Sequence, residues 1–137
     1  MLAAISRQRV DAYQGEQDPI IYLVSTVQRV MDAGLTWCFT DGHALERVTS
    51  FLRDISDMDR VDWAVIAARQ WRNTDDDPHR MRRKQAEFLV HKSVPWQVFL
   101  GVAVRNVNLK QRVEELLASV DPGLHRPVAI RPKWYYD

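Results

Sequence analysis

The chain has 137 residues and a mass of 16.0 kDa, room for one domain and hardly for two. Its 46% hydrophobic and 27% charged residues are the proportions of an ordinary soluble globular protein, and a net charge of +1 excludes overall charge as a lure for nucleic acid. A single cysteine, Cys38, excludes a disulfide framework or a multi-cysteine zinc site, and no apolar run approaches the roughly 20 residues of a membrane span.

The N-terminus carries no basic segment ahead of an apolar stretch, so it does not read as a signal peptide, and the expected compartment is the cytoplasm. Residues 3–10 predict a short helix, ended by the loop from Gln14 to Pro19. Ile20–Ser25 is β-branched and aromatic and predicts a buried strand. Val27, Val30 and Met31 then recur at helical spacing, with Ser25 or Thr26 as N-cap and Gly34 as the stop. Thr36–Thr40 predicts a second strand closed by Asp41-Gly42. Leu45, Val48, Phe51, Leu52 and Ile55 follow an i, i+3, i+4 pattern, which predicts a helix over about 44–56. Val61, Trp63, Val65 and Ile66 predict another, running to about Trp71.

The strongest loop signal is Asn73–Pro78, followed by the basic run Arg80-Met-Arg-Arg-Lys84 and then Gln85-Ala-Glu-Phe-Leu-Val-His91. Read with period 2, that last segment puts Ala86, Phe88 and Val90 on one face and Gln85, Glu87, Leu89 and His91 on the other. Phe99–Val104 predicts a strand after the Pro95-Trp96 turn. Leu109, Val113, Leu116 and Leu117 make a helical stripe through about 107–119, and Val128–Ile130 predicts a last strand. Strands and helices alternate without a βαβ rhythm, so the expected class is α+β.

The glycine-rich nucleotide fingerprints, the zinc-protease motif and the serine-hydrolase elbow are all missing. Cys38, between Trp37 and Phe39, reads as a buried structural thiol. Glu87 stands out because a carboxylate within an apolar strand costs free energy unless it is solvated in a cleft or paired. One reading makes it a cleft residue beside Gln85; the other makes it an edge-strand glutamate facing water, or one paired with Lys84 or His91. Arg69–Lys84 holds six basic residues and three acids, a local balance of +3. Arg80, Arg82, Arg83 and Lys84 are therefore candidates for nucleic-acid phosphate, with a solvated loop of internal Asp–Arg pairs as the alternative. The aromatic end Trp134-Tyr135-Tyr136 reads as an anchor for the chain terminus.

Taken together, several segments resemble the DarT family, NAD-using bacterial toxins of DarT–DarG toxin–antitoxin systems that ADP-ribosylate DNA bases. They are Phe39-Thr-Asp-Gly-His43, Asp62-Trp63, Arg69-x-Trp71, Arg83-Lys-Gln-Ala-Glu-Phe-Leu-Val-His91, Pro95-Trp96, Arg126-Pro and Arg131-x-x-Trp-Tyr-Tyr136. Gln85-Ala86-Glu87 is also similar to the Q/E-x-E pair of ADP-ribosyltransferases at large. The resemblance implies that Glu87 is the catalytic glutamate, supporting the positive charge that builds on the nicotinamide ribose and helping to activate the base. It makes residues of about 41–84 the DNA-facing loop region.

It also implies a sizeable region ahead of the position matching Met1, holding a His-x-Thr contact to NAD and a reacting arginine. Those roles fall to no residue here, so residues 1–137 are expected to be the C-terminal part of an ADP-ribosyltransferase-like domain, a twisted mixed sheet with flanking helices. The implied activity is NAD-dependent ADP-ribosylation of a base in single-stranded DNA, without a metal. The implied partners are DNA and an antitoxin bearing an ADP-ribosyl-hydrolase macrodomain. The alternative is a non-catalytic remnant that binds nucleic acid or an antitoxin.

Overall fold

A computed structural model describes residues 19–135. The expected helix over 3–10, the loop ahead of Pro19 and Tyr136 lie outside the described residues. Those described fall into two compact units, one of residues 19–30 and 95–135, the other Met31–Val94. Helix α1 (Val27–Asp32) links them in sequence. Thr26 Oγ1 accepts from Arg29 N–H at its start, and Gly34, at φ +66°, turns the chain out at its end.

In the first unit, β1 (Tyr22–Val24) pairs antiparallel with β5 (Gly101–Val104), which pairs parallel with β6 (Val128–Ile130). With a neighbour on either side, all four β5 residues are buried. At Gly101 a Cβ would stand 2.8 Å from the Pro127 carbonyl, so only glycine lets the two strands approach this closely. Asn106 caps α4 (Val107–Val120) through Leu109 N–H, and Val113 from this helix joins Val102, Val104 and Val128 in the core. The strand at 20–25 is shorter and wetter than expected. It sits at the sheet edge, leaving Leu23 45% exposed. Tyr22 meets Trp134 and Tyr135 edge-on, and Tyr135 Oη donates to the Ile20 carbonyl, so the aromatic end is an anchor.

In the second unit, β2 (Trp37–Thr40) is the middle strand, antiparallel to β3 (Phe51–Leu52) and to β4 (Phe88–Val90). Phe39, Leu52 and Val61 form the core, with Trp37, Met58, Ile66, Ala86 and Phe88 packed around it. Two short helices complete the unit, α2 (Trp63–Ala67) and α3 (Arg80–Lys84).

The α+β class stands, with the β-structure divided between two three-stranded sheets. The helix expected over 44–56 is absent. Turns close at Glu46 and Thr49, Leu52 joins the sheet opposite Phe39, and a 3₁₀ helix spans Ile55–Arg60. Of the apolar stripe that suggested a helix, only Leu52 is buried; Leu45 is 88% exposed. A periodic stripe stabilises a helix only where a surface covers it, and Val48, Thr49 and Ser50 add no intrinsic helix preference. Cys38 is half-buried, because strand alternation points it away from Phe39.

Candidate active site

Glu87 lies within the second unit, one residue ahead of β4. Its side chain is exposed, and no hydrogen bond or ion pair among the described residues engages its carboxylate. Its backbone is held tightly. Thr40, at the end of β2 and fully buried, donates its N–H to the Glu87 carbonyl at 2.9 Å. The Glu87 N–H in turn donates to Thr40 Oγ1, also at 2.9 Å. Ala86 and Phe88 pack against the core on either side, as the alternation predicts.

Gln85 does not share that strand face. It is the C-cap of α3, with φ −101° and ψ 23°, and its Nε2 donates back to the Met81 carbonyl at 3.0 Å. The extended pattern therefore begins after Gln85, and counting by twos from it starts inside a helix. This corrects the expectation of a Gln85–Glu87 pair on one strand face.

The basic run is also redirected. Lys84 is buried, and its Nζ donates to the carbonyls of Val65, Ile66 and Ala68 at the end of α2. An ammonium has three protons, and all three are used. This corrects the phosphate reading for Lys84 and removes it as an ion-pair partner for Glu87. Lys84 thereby supplies a donor to the carbonyls at the end of α2, where helical N–H partners run out. Burial lowers the Lys84 pKa, with a smaller push from the Arg80 charge.

Arg83 bridges Asp62 and Asp77 with two contacts of 2.6 Å, Arg80 meets Asp77 at 3.2 Å, and Arg82 reaches Asp41 at 3.1 Å. Of the two readings of the run, the geometry is that of internal Asp–Arg pairs. The cations left exposed and without an ion pair among the described residues include Arg47, Arg53, Arg69 and Arg72.

Asp41 organises the loop that leaves β2. Oδ1 accepts from Ser50 N–H at 3.0 Å and from Arg82, whose Nη1 also donates to Thr49 Oγ1. Burial alone would raise the Asp41 pKa, but the bonds from Ser50 and Arg82 outweigh it and hold the carboxyl below its ordinary 3.8. His43 N–H donates to the Arg82 carbonyl, so Asp41-Gly42-His43 and α3 are stitched together just beside the Thr40–Glu87 pair. Thr40 is the residue that sequence reasoning missed, its only signal a hydroxyl ending an apolar strand, while Lys84 was singled out for phosphate and serves the end of α2 instead.

A family model described as "ssDNA thymidine ADP-ribosyltransferase, DarT" matches residues 1–136. The chain belongs to the DarT family. It is 38% identical over 136 residues to a DNA ADP-ribosyl transferase of Thermus aquaticus, a match covering 99% of this chain and 58% of that protein. It is likewise 38% identical over 125 residues to one of Mycobacterium tuberculosis, covering 90% of this chain and 54% of that one. Among solved structures it resembles Thermus sp. 2.9 DarT in complex with ADP-ribosylated ssDNA, with TM-score 0.89 and 37% identity over 98% of this chain and 63% of that one. The same DarT in complex with NAD+ gives TM-score 0.90 and 35% identity, over 98% of this chain and 66% of that one. The DarT likeness thus spans nearly all of this chain and 58% of the Thermus aquaticus relative's length.

Proposed function

We propose that residues 1–137 form part of an NAD-dependent DNA ADP-ribosyltransferase domain and supply its catalytic carboxylate, Glu87. NAD would provide the ADP-ribosyl group, with nicotinamide as the leaving group. The single observation that carries this reading is an exposed Glu87 carboxylate without an ion pair among the described residues, on a backbone bonded in both directions to buried Thr40. A carboxylate already paired with a neighbouring lysine would offer little field to a positive charge developing on a ribose; an unpaired one on a fixed backbone is available to it. Such a group can also accept a hydrogen bond from an attacking base. No residue of the chain is assigned to hold NAD.

The acceptor is a base in single-stranded DNA, where no duplex has to be opened to reach it. Because Arg80, Arg82, Arg83 and Lys84 are bonded inward, phosphate contact falls to exposed arginines such as Arg47, Arg53, Arg69 and Arg72. The finer reading, a cytoplasmic toxin opposed by an antitoxin with an ADP-ribosyl-hydrolase macrodomain, rests on the family resemblance.

Incubating a transferase domain that contains residues 1–137 with NAD and single-stranded oligonucleotides, followed by mass spectrometry, tests the activity. The expected result is ADP-ribosylated DNA that disappears in Glu87→Gln. Modification that survives in Glu87→Gln, or none by that domain, overturns the reading.

A further inference from the structure

The ladder between β2 and β4 runs Trp37 to Val90, Cys38 to Leu89 and Phe39 to Phe88. Its next rung is Thr40 and Glu87, where the Thr40 N–H already bonds the Glu87 carbonyl. A regular antiparallel rung of this kind would return the Glu87 N–H to the Thr40 carbonyl. It goes instead to the Thr40 hydroxyl, at 2.9 Å. We infer that Thr40 is a positioning residue for Glu87: its hydroxyl replaces the last backbone acceptor and sets the direction in which the carboxylate leaves the sheet.

Burying a hydroxyl carries a desolvation cost that valine, of nearly the same shape, would avoid. Thr40 is wholly buried, and every hydrogen bond of its hydroxyl goes to Glu87, accepting from its N–H and facing its carbonyl at 3.4 Å. On the other side Thr40 pairs with Phe51 of β3, so the anchor itself sits in the middle strand and cannot drift. The direction of the Glu87 Cα–Cβ bond follows from its backbone, and an unpaired N–H would let that backbone rotate into solvent. The inference rests on the reading of Glu87 as the catalytic carboxylate.

Two readouts on the full chain separate that reading from the inference. In amide hydrogen exchange by NMR, Thr40→Val should speed exchange at the Glu87 N–H by about tenfold, while Thr40→Ser should leave it near the unaltered rate. The amides of Cys38 and Leu89, further along the ladder, should not move in either variant. Equal protection of the Glu87 N–H in Thr40→Val overturns the inference whatever the activity shows.

In the transferase assay, Thr40→Val should lower kcat by about tenfold to a hundredfold with KM for NAD little changed, the signature of a displaced reacting group. Thr40→Ser should restore kcat to within about twofold. Activity lost in Glu87→Gln but intact in Thr40→Val overturns the positioning role. Activity intact in Glu87→Gln overturns the reading of Glu87 instead. If Thr40→Val does not fold, Thr40→Ala against Thr40→Ser isolates the same hydroxyl, and equal kcat and equal Glu87 exchange in those two overturn the inference.

Discussion

Arg82 and Asp41 lie 41 positions apart in sequence and meet at 3.1 Å, closing the loop that follows β2 onto α3. Gly42 sits under this contact: a Cβ there would collide with Arg82 Nη1. Asp41→Asn and Gly42→Ala should therefore each cost about 1–2 kcal/mol in urea unfolding, the range for a partly buried charge-assisted bond. The pH dependence follows from the lowered Asp41 pKa. A carboxyl with a folded pKa below its unfolded value contributes stability above the unfolded value and loses it as pH falls through the folded one. The gap between the unaltered chain and Asp41→Asn should be constant above about pH 5 and shrink below the ordinary 3.8. A gap that stays constant into acid would refute the pairing.

Lys84→Met tests the cap on α2. It keeps most of the side-chain volume but leaves the carbonyls of Ile66 and Ala68 without the ammonium donor and that of Val65 with only the Ala68 N–H, and removes the ammonium from the face of Trp71, 5.1 Å from the ring centroid. The expected cost is about 2–3 kcal/mol by denaturant titration, as for buried polar groups left unpaired. A loss below about 0.5 kcal/mol would place Lys84 among ordinary surface lysines.

Glu87→Ala should behave in the opposite way. An exposed side chain with no partner among the described residues contributes little to folding, so stability should change by less than about 0.5 kcal/mol while transferase activity disappears. Loss of activity together with a comparable loss of Tm would point to a structural role instead.

The two classes of arginine should separate in the same pair of measurements. Arg83→Gln breaks both 2.6 Å ion pairs, to Asp62 and Asp77, and should lower stability by about 1–2 kcal/mol, since all three groups are only partly exposed. Replacing Arg47, Arg53 and Arg72 with Gln should leave stability nearly unchanged. It should weaken binding to single-stranded oligonucleotides, with the salt slope falling by up to about 0.7 for each phosphate no longer neutralised. An unchanged slope would remove these arginines from the DNA interface.

Local pattern by itself determined much of the secondary structure. The helix over Val107–Val120 and the strands at Trp37–Thr40, Gly101–Val104 and Val128–Ile130 follow from runs and caps whose stabilising contacts lie in the segment or in one neighbouring strand. The resemblance carried by segments such as Gln85-Ala-Glu-Phe-Leu-Val was legible as well, because it depends on residue identities and not on where they end up. What only the tertiary structure decided is which partner each charge takes. Arg80–Lys84 looks like a phosphate cradle in sequence because its cations outnumber the acids nearby, of which Asp77 alone takes part in the pairing. Asp41 and Asp62 are brought to it by folding, while Lys84 is drawn inward by carbonyls at the end of another helix. The same holds for the stripe from Leu45 to Ile55, which has helical spacing but no surface to cover it, and for Thr40, whose importance lies in a rung it shares with a residue 47 positions away. Periodicity is a property of a segment, whereas pairing and burial belong to whatever the rest of the chain places against it.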